Sequence, residues 1–84
     1  MTKILLVEDN EMNKDMLSRR LIKKGYEIVF AMDGQEAIDM AKSETPDVIL
    51  MDMGLPVKDG LQATKEIKEN SDTASIPILS LIHI

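Results

Sequence analysis

The chain reads as an α/β domain built on a parallel sheet. Two observations carry this. The apolar runs at residues 4–7 and 48–51 are continuous instead of alternating, which suits strands buried on both faces. Helix-period segments with identifiable ends lie between the strand-like runs, so the order is β-α-β-α-β-α-β. That alternation calls for parallel strands joined by right-handed crossovers.

The elements follow in order. Ile4, Leu5, Leu6 and Val7 form the first strand, which ends abruptly in Glu8, Asp9 and Asn10. Asn10 has the side chain of an N-cap, and the spacing predicts a helix from there to about Lys24. Met12, Met16, Leu17 and Leu21 are expected along its packed side. Gly25, after two lysines, is the stop signal. Residues 26–31 read as the second strand, with Tyr26 and Phe30 packing under a helix. Asp33, Gly34, Gln35 and Glu36 resemble a capping box, with Asp33 in the capping role, and open a helix that carries Ala37, Ile38 and Ala41. Pro46 and Asp47 interrupt it. Val48, Ile49, Leu50 and Met51 form the third strand, which again ends in an acid, Asp52. A loop containing Gly54, Pro56 and Gly60 leads to a third helix with Leu61, Thr64 and Ile67 on one face. Residues 70–75 are polar and turn-like, and Ile76, Pro77 and Ile78 begin a fourth strand. The seven methionines are expected to be flexible core fillers.

Composition narrows the function classes. A hydrophobic content of 44% suits a globular core and is too rich for disorder. A formal net charge of -5 argues against direct contact with nucleic acid, which needs a basic face. Without cysteine there is neither a disulfide framework nor a thiolate metal site. No apolar run is long enough to span a bilayer, and no signal-peptide pattern opens the chain. No membrane association is expected, and a cytoplasmic location is the default.

Two buried strands that end in acids are the informative feature. In an open parallel sheet, ligands sit beyond the carboxyl ends of the strands, where strand order reverses. If the first and third strands are neighbours, Glu8, Asp9 and Asp52 converge. Three close carboxylates repel one another and call for a cation or bound protons. Their hard oxygen ligands suit Mg²⁺. A carboxylate can also attack phosphorus and form an aspartyl phosphate. Taken singly, each acid is better explained as a cap or turn residue; their occurrence together at two strand ends favours chemistry. A phosphatase of the aspartyl-phosphate type would want a second Asp at position 54, where Gly54 stands. A dinucleotide site would want a glycine-rich turn where the chain has VEDNEMN.

The segments ILLVEDNEMN, AMDGQEAI, PDVILMDMGLPVKDG and IPI resemble, in order and spacing, the receiver domains of bacterial two-component response regulators. The resemblance implies a flavodoxin-like (CheY-like), doubly wound parallel sheet of strand order 2-1-3-4-5. It implies that Asp52 is the phospho-acceptor and that Glu8 and Asp9 are the acidic pair that helps bind Mg²⁺. The backbone carbonyl of Gly54 would complete the metal shell with Asp52. The donor would be a phosphohistidine on a sensor histidine kinase or a histidine phosphotransfer protein. The module would act as a signalling acceptor and not as an enzyme.

The resemblance also exposes departures. The fourth strand of the family ends in a small hydroxyl residue that contacts the phosphoryl group, and that position here is Ile82. The family's fifth strand, its lysine and its last two helices find no counterpart before Ile84. The last six residues, LSLIHI, are a literal translation of the transposon mosaic-end adapter used in sequencing libraries. Residues 1–84 are therefore expected to be a partial receiver domain with an adapter-derived tail at 79–84, in which His83 has no role; the alternative for the tail is a divergent fourth strand with a genuine early stop. The alternative reading is a non-functional fragment that keeps the acidic residues but cannot switch.

Overall fold

The computed structural model describes residues 2–52 and 60–81, the last by its backbone alone. The elements are β1 (Lys3–Val7), α1 (Glu11–Lys23), β2 (Glu27–Ala31), α2 (Gly34–Glu44), β3 (Val48–Asp52), α3 (Gly60–Glu69) and β4 (Ile78–Leu81). They form a four-stranded sheet in the order β2-β1-β3-β4, with all three pairings parallel. The expected alternation and strand order are thus both present.

This order places the helices. From β1 the chain steps to β2 on one side, then returns across β1 to β3 on the other. Right-handed crossovers in opposite directions put α1 on one face and α2 and α3 on the other. The pleat sorts the side chains accordingly. Leu5, Val7, Ala31, Ile49 and Met51 pack with Ala37, Ile38 and Ala41 of α2 and with Ala63 and Ile67 of α3. Strand β1 is flanked on both sides, and Leu5, Leu6 and Val7 are fully buried. This is why its apolar run is continuous.

Helix ends follow their local signals. Asn10 caps α1, its Oδ1 accepting the Asn13 N–H at 3.0 Å. Gly25, at φ 96°, ends α1: its own N–H reaches the Ile22 carbonyl at 2.9 Å, and the Tyr26 N–H reaches that of Leu21 at 3.2 Å. This pair of bonds is the glycine-dependent stop expected from the sequence. Asp33 caps α2 by accepting the Glu36 N–H at 2.9 Å. The return bond of the box is displaced by one residue, from the Met32 N–H to Glu36 Oε1 at 3.3 Å.

Several packing expectations need correction. Met12 and Met16 of α1 are exposed, and the one buried residue of the helix is Ser18. Met16 lies two residues from Ser18, about 200° around the helix, so it faces outward. The stripe against the sheet runs instead through half-buried Lys14, Leu17 and Leu21. Among the described methionines only Met51 is buried and Met40 partly so, while Met32 is exposed. Tyr26 and Phe30 are also partly open, with the Lys14 ammonium 5.4 Å from the Phe30 ring centre. On α3 the buried face is Gly60, Ala63 and Ile67, and Leu61 is exposed. Gly60 begins the helix rather than preceding it.

Lys3 ties the other end of the sheet together. Its N–H donates to Asp47 Oδ2 at 2.8 Å, and its ammonium pairs with Glu44 at 3.4 Å and Glu27 at 3.7 Å. Residues 79–81, within the segment expected to be an adapter-derived tail, pair with β3, Leu50 with Leu79, Met51 with Ser80 and Asp52 with Leu81. Ile82 and His83 lie outside the described residues.

Candidate acidic phospho-acceptor site

Strand register builds the site. Val7 pairs with Met51 across β1 and β3, so the next residues, Glu8 and Asp52, stand at the same level at the carboxyl ends of adjacent strands. One carboxylate oxygen from each of Glu8, Asp9 and Asp52 lies within 4.8 Å of the other two. Glu8 and Asp52 are buried, whereas Asp9 is exposed. This site is also where strand order reverses, since β1 leads outward to β2 and β3 continues the sheet on the other side.

Glu8 is held by backbone on both sides. Its own N–H continues the ladder to the Ala31 carbonyl at 3.2 Å, and its Oε1 accepts the Asn10 N–H at 3.0 Å. From the sequence Asn10 is identifiable only as a helix cap; its placement two residues after a buried acid is the signal for the second contact.

The electrostatics favour a cation. Two unit charges 4.8 Å apart repel by roughly 3 kcal/mol at an effective dielectric of 20. A hard divalent ion among three carboxylates would reverse that balance. Mg²⁺ needs near-octahedral oxygens at about 2.1 Å, so opposite ligands stand about 4.2 Å apart. One oxygen from each of the three carboxylates lies within 4.8 Å of the others, close enough for a single ion to gather them directly or through the waters that Mg²⁺ commonly retains. The donor set fits the ion. Gly54 and Pro56 lie outside the described residues.

Comparison with known proteins agrees with this geometry. The family model of the response regulator receiver domain matches residues 4–83. The chain belongs to the response regulator receiver domain family. It is 37% identical over 78 residues to the polar-differentiation response regulator DivK of Brucella anthropi, covering 93% of this chain and 63% of that protein. The DivK of Brucella ovis is 39% identical over 82 residues, covering 96% and 67%. The chain thus spans about two thirds, or slightly less, of the curated relatives it matches.

Among solved structures, the receiver domain of a sensor histidine kinase from Pseudomonas aeruginosa superposes with a TM-score of 0.93 at 40% identity, covering 96% of this chain and 66% of that one. That structure has a magnesium ion coordinated in its active-site cleft. The N-terminal domain of a response regulator receiver protein from Methanoculleus marisnigri gives a TM-score of 0.94 at 30% identity, covering 98% and 67%. The receiver is a signalling module, as expected. Among the described residues, no helix is long and apolar enough to cross a membrane.

Proposed function

We propose that this receiver accepts a phosphoryl group on Asp52 from a phosphohistidine of a sensor histidine kinase or a histidine phosphotransfer protein. The observation that carries the reading is the convergence of Glu8, Asp9 and Asp52 at the paired ends of β1 and β3. An Asp52 carboxylate oxygen attacks phosphorus, the phosphorus–nitrogen bond of the donor breaks, and the imidazole leaves with the electron pair and takes up a proton. The product is an acyl phosphate on Asp52, formed once per donor without turnover of a small-molecule substrate. Asp9 and Asp52 would hold Mg²⁺ directly, Glu8 would act through a bound water, and the family resemblance assigns the Gly54 carbonyl the remaining share. When bound, the ion supplies charge that offsets the incoming phosphoryl oxygens. The burial of Asp52 beside exposed Asp9 supports this division, because the acceptor is shielded while one ligand stays open to solvent. A cytoplasmic location follows from the donor, since histidine kinases present phosphohistidine there.

The test uses the full-length natural protein with radiolabelled acetyl phosphate and Mg²⁺. Acid-stable but hydroxylamine-labile label is expected on the parent, with none on Asp52→Asn. Equal labelling of the two would overturn the assignment.

A further inference from the structure

We propose that Asn10 is a positioning residue for the Mg²⁺ site: the turn it caps fixes the N–H that holds the Glu8 carboxylate. The inference rests on the reading of the acidic cluster as a Mg²⁺ site and adds to it a residue that is not a ligand.

Three bonds meet at Asn10. Its Oδ1 accepts the Asn13 N–H at 3.0 Å, and its carbonyl accepts the Lys14 N–H at 2.9 Å. Both fasten the residue to the first turn of α1. Its own N–H points the other way and donates to Glu8 Oε1 at 3.0 Å. The backbone at Asn10 is extended, with φ -84° and ψ 115°. That geometry is what an N-cap requires, and here it also aims the N–H at the preceding acid.

Glu8 needs such a fixture. It is 1% exposed, and a glutamate carries more rotamer freedom than an aspartate, costing up to about 2 kcal/mol to immobilise. Asp9 and Asp52 have shorter side chains with less rotamer freedom to lose. Glu8 reaches the same cluster on a longer side chain, and a bond to a rigid N–H selects its bound rotamer before any ion arrives. Helix α1 thereby sets the geometry of a carboxylate that lies outside the helix.

Substitutions at Asn10 separate the two functions of the residue. Asn10→Ser keeps a capping oxygen and the N–H. Asn10→Ala keeps the N–H and loses the cap. Asn10→Pro loses both while tolerating φ near -84°. Mg²⁺ affinity is measured by calorimetry in the full-length natural protein, well below its melting temperature, with far-ultraviolet circular dichroism as the control for folding. Loss of an outer contact to a direct metal ligand weakens binding roughly 10- to 100-fold; because Glu8 reaches the ion through water, the loss expected for Asn10→Pro is smaller, severalfold, and no larger than that of Glu8→Ala. Asn10→Ala should fall between Asn10→Pro and the parent, and Asn10→Ser should restore parent-like affinity.

A folded Asn10→Pro that binds Mg²⁺ like the parent overturns the inference, as does an Asn10→Ser no better than Asn10→Ala. If Asn10→Pro does not fold, the comparison of Ser with Ala decides. Hydrogen exchange in the metal-free parent gives an independent readout: the Asn10 amide should be protected, and exchange at the random-coil rate overturns the inference. A parent that binds no Mg²⁺ defeats the metal reading itself. A parent that binds while every Asn10 variant matches it defeats only the role of Asn10.

Discussion

The Lys68 ammonium donates to the Ile76 carbonyl at 2.6 Å, reaching from the last turn of α3 to a residue two places before β4. It also donates to the Ala74 carbonyl at 3.1 Å. Within the loop so closed, the hydroxyl of buried Thr73 donates to the Ile67 carbonyl at 2.6 Å. The α3–β4 connection is therefore an ordered staple, although its sequence reads only as polar and turn-like.

Thr73→Val should destabilise the protein by about 1–3 kcal/mol, because it removes the donor to a buried carbonyl while nearly conserving volume. Urea denaturation monitored by circular dichroism measures this. A change below about 0.5 kcal/mol would show that the hydroxyl contributes no more than an ordinary surface group.

Gly25→Ala should cost about 1–2 kcal/mol through backbone strain alone. At φ 96° the position disfavours any Cβ, yet an added methyl would meet nothing within 4 Å. Gly25→Asn should cost less, since asparagine tolerates left-handed conformations better. Equal stability of parent and Gly25→Ala in thermal denaturation would contradict the stop geometry.

Asp9→Ala should weaken Mg²⁺ binding more than Glu8→Ala does. Asp9 is the exposed acid assigned to direct ligation, and its loss removes a coordinating charge. Glu8→Ala removes an acid that acts through water and also relieves repulsion within the cluster. Titration calorimetry distinguishes the two, and identical parent-like affinities in both variants would place the ion elsewhere.

What was legible in the sequence was local or categorical. Asn10, Gly25 and Asp33 act within four residues of themselves, so their residue types were sufficient signals. Glu8 and Asp52 were legible because each ends an apolar run, and parallel pairing brings such ends together. The packed side of α1 was not legible. Its methionines have helical spacing, but the stripe that meets the sheet is centred on Ser18, whose hydroxyl is satisfied within the helix by the Asp15 carbonyl at 3.0 Å. Leu61 misled in the same way, because α3 turns the small residues Gly60 and Ala63 inward together with Ile67. The contacts of Lys68 and Thr73 join side chains to carbonyls six to eight residues away through a turn, and no periodicity encodes them.

Reading the source DNA through the codons for residues 79–84 should replace LSLIHI with native sequence. A threonine or serine is expected at position 82, where the family places its phosphoryl-contacting hydroxyl. Genomic sequence that retains Ile82 and His83 would contradict the adapter origin.

The pairing of Val7 with Met51 makes the two acid-bearing strands a matched pair of rulers. Successive residues of a strand face opposite sides, so one residue inserted into or deleted from either strand would turn its acid toward the other helix layer. The same slip would also rotate Leu5 and Val7, or Ile49 and Met51, out of the core they share with α2 and α3. Length errors in these strands therefore cannot yield a stable protein that has merely lost its chemistry, because the same residue count sets both the interior and the cluster. Folded variants that have lost only the chemistry are expected from substitutions, such as Asp52→Asn, and not from length changes within these strands. Any transplant of this site into another parallel sheet must carry both strands in their original frame.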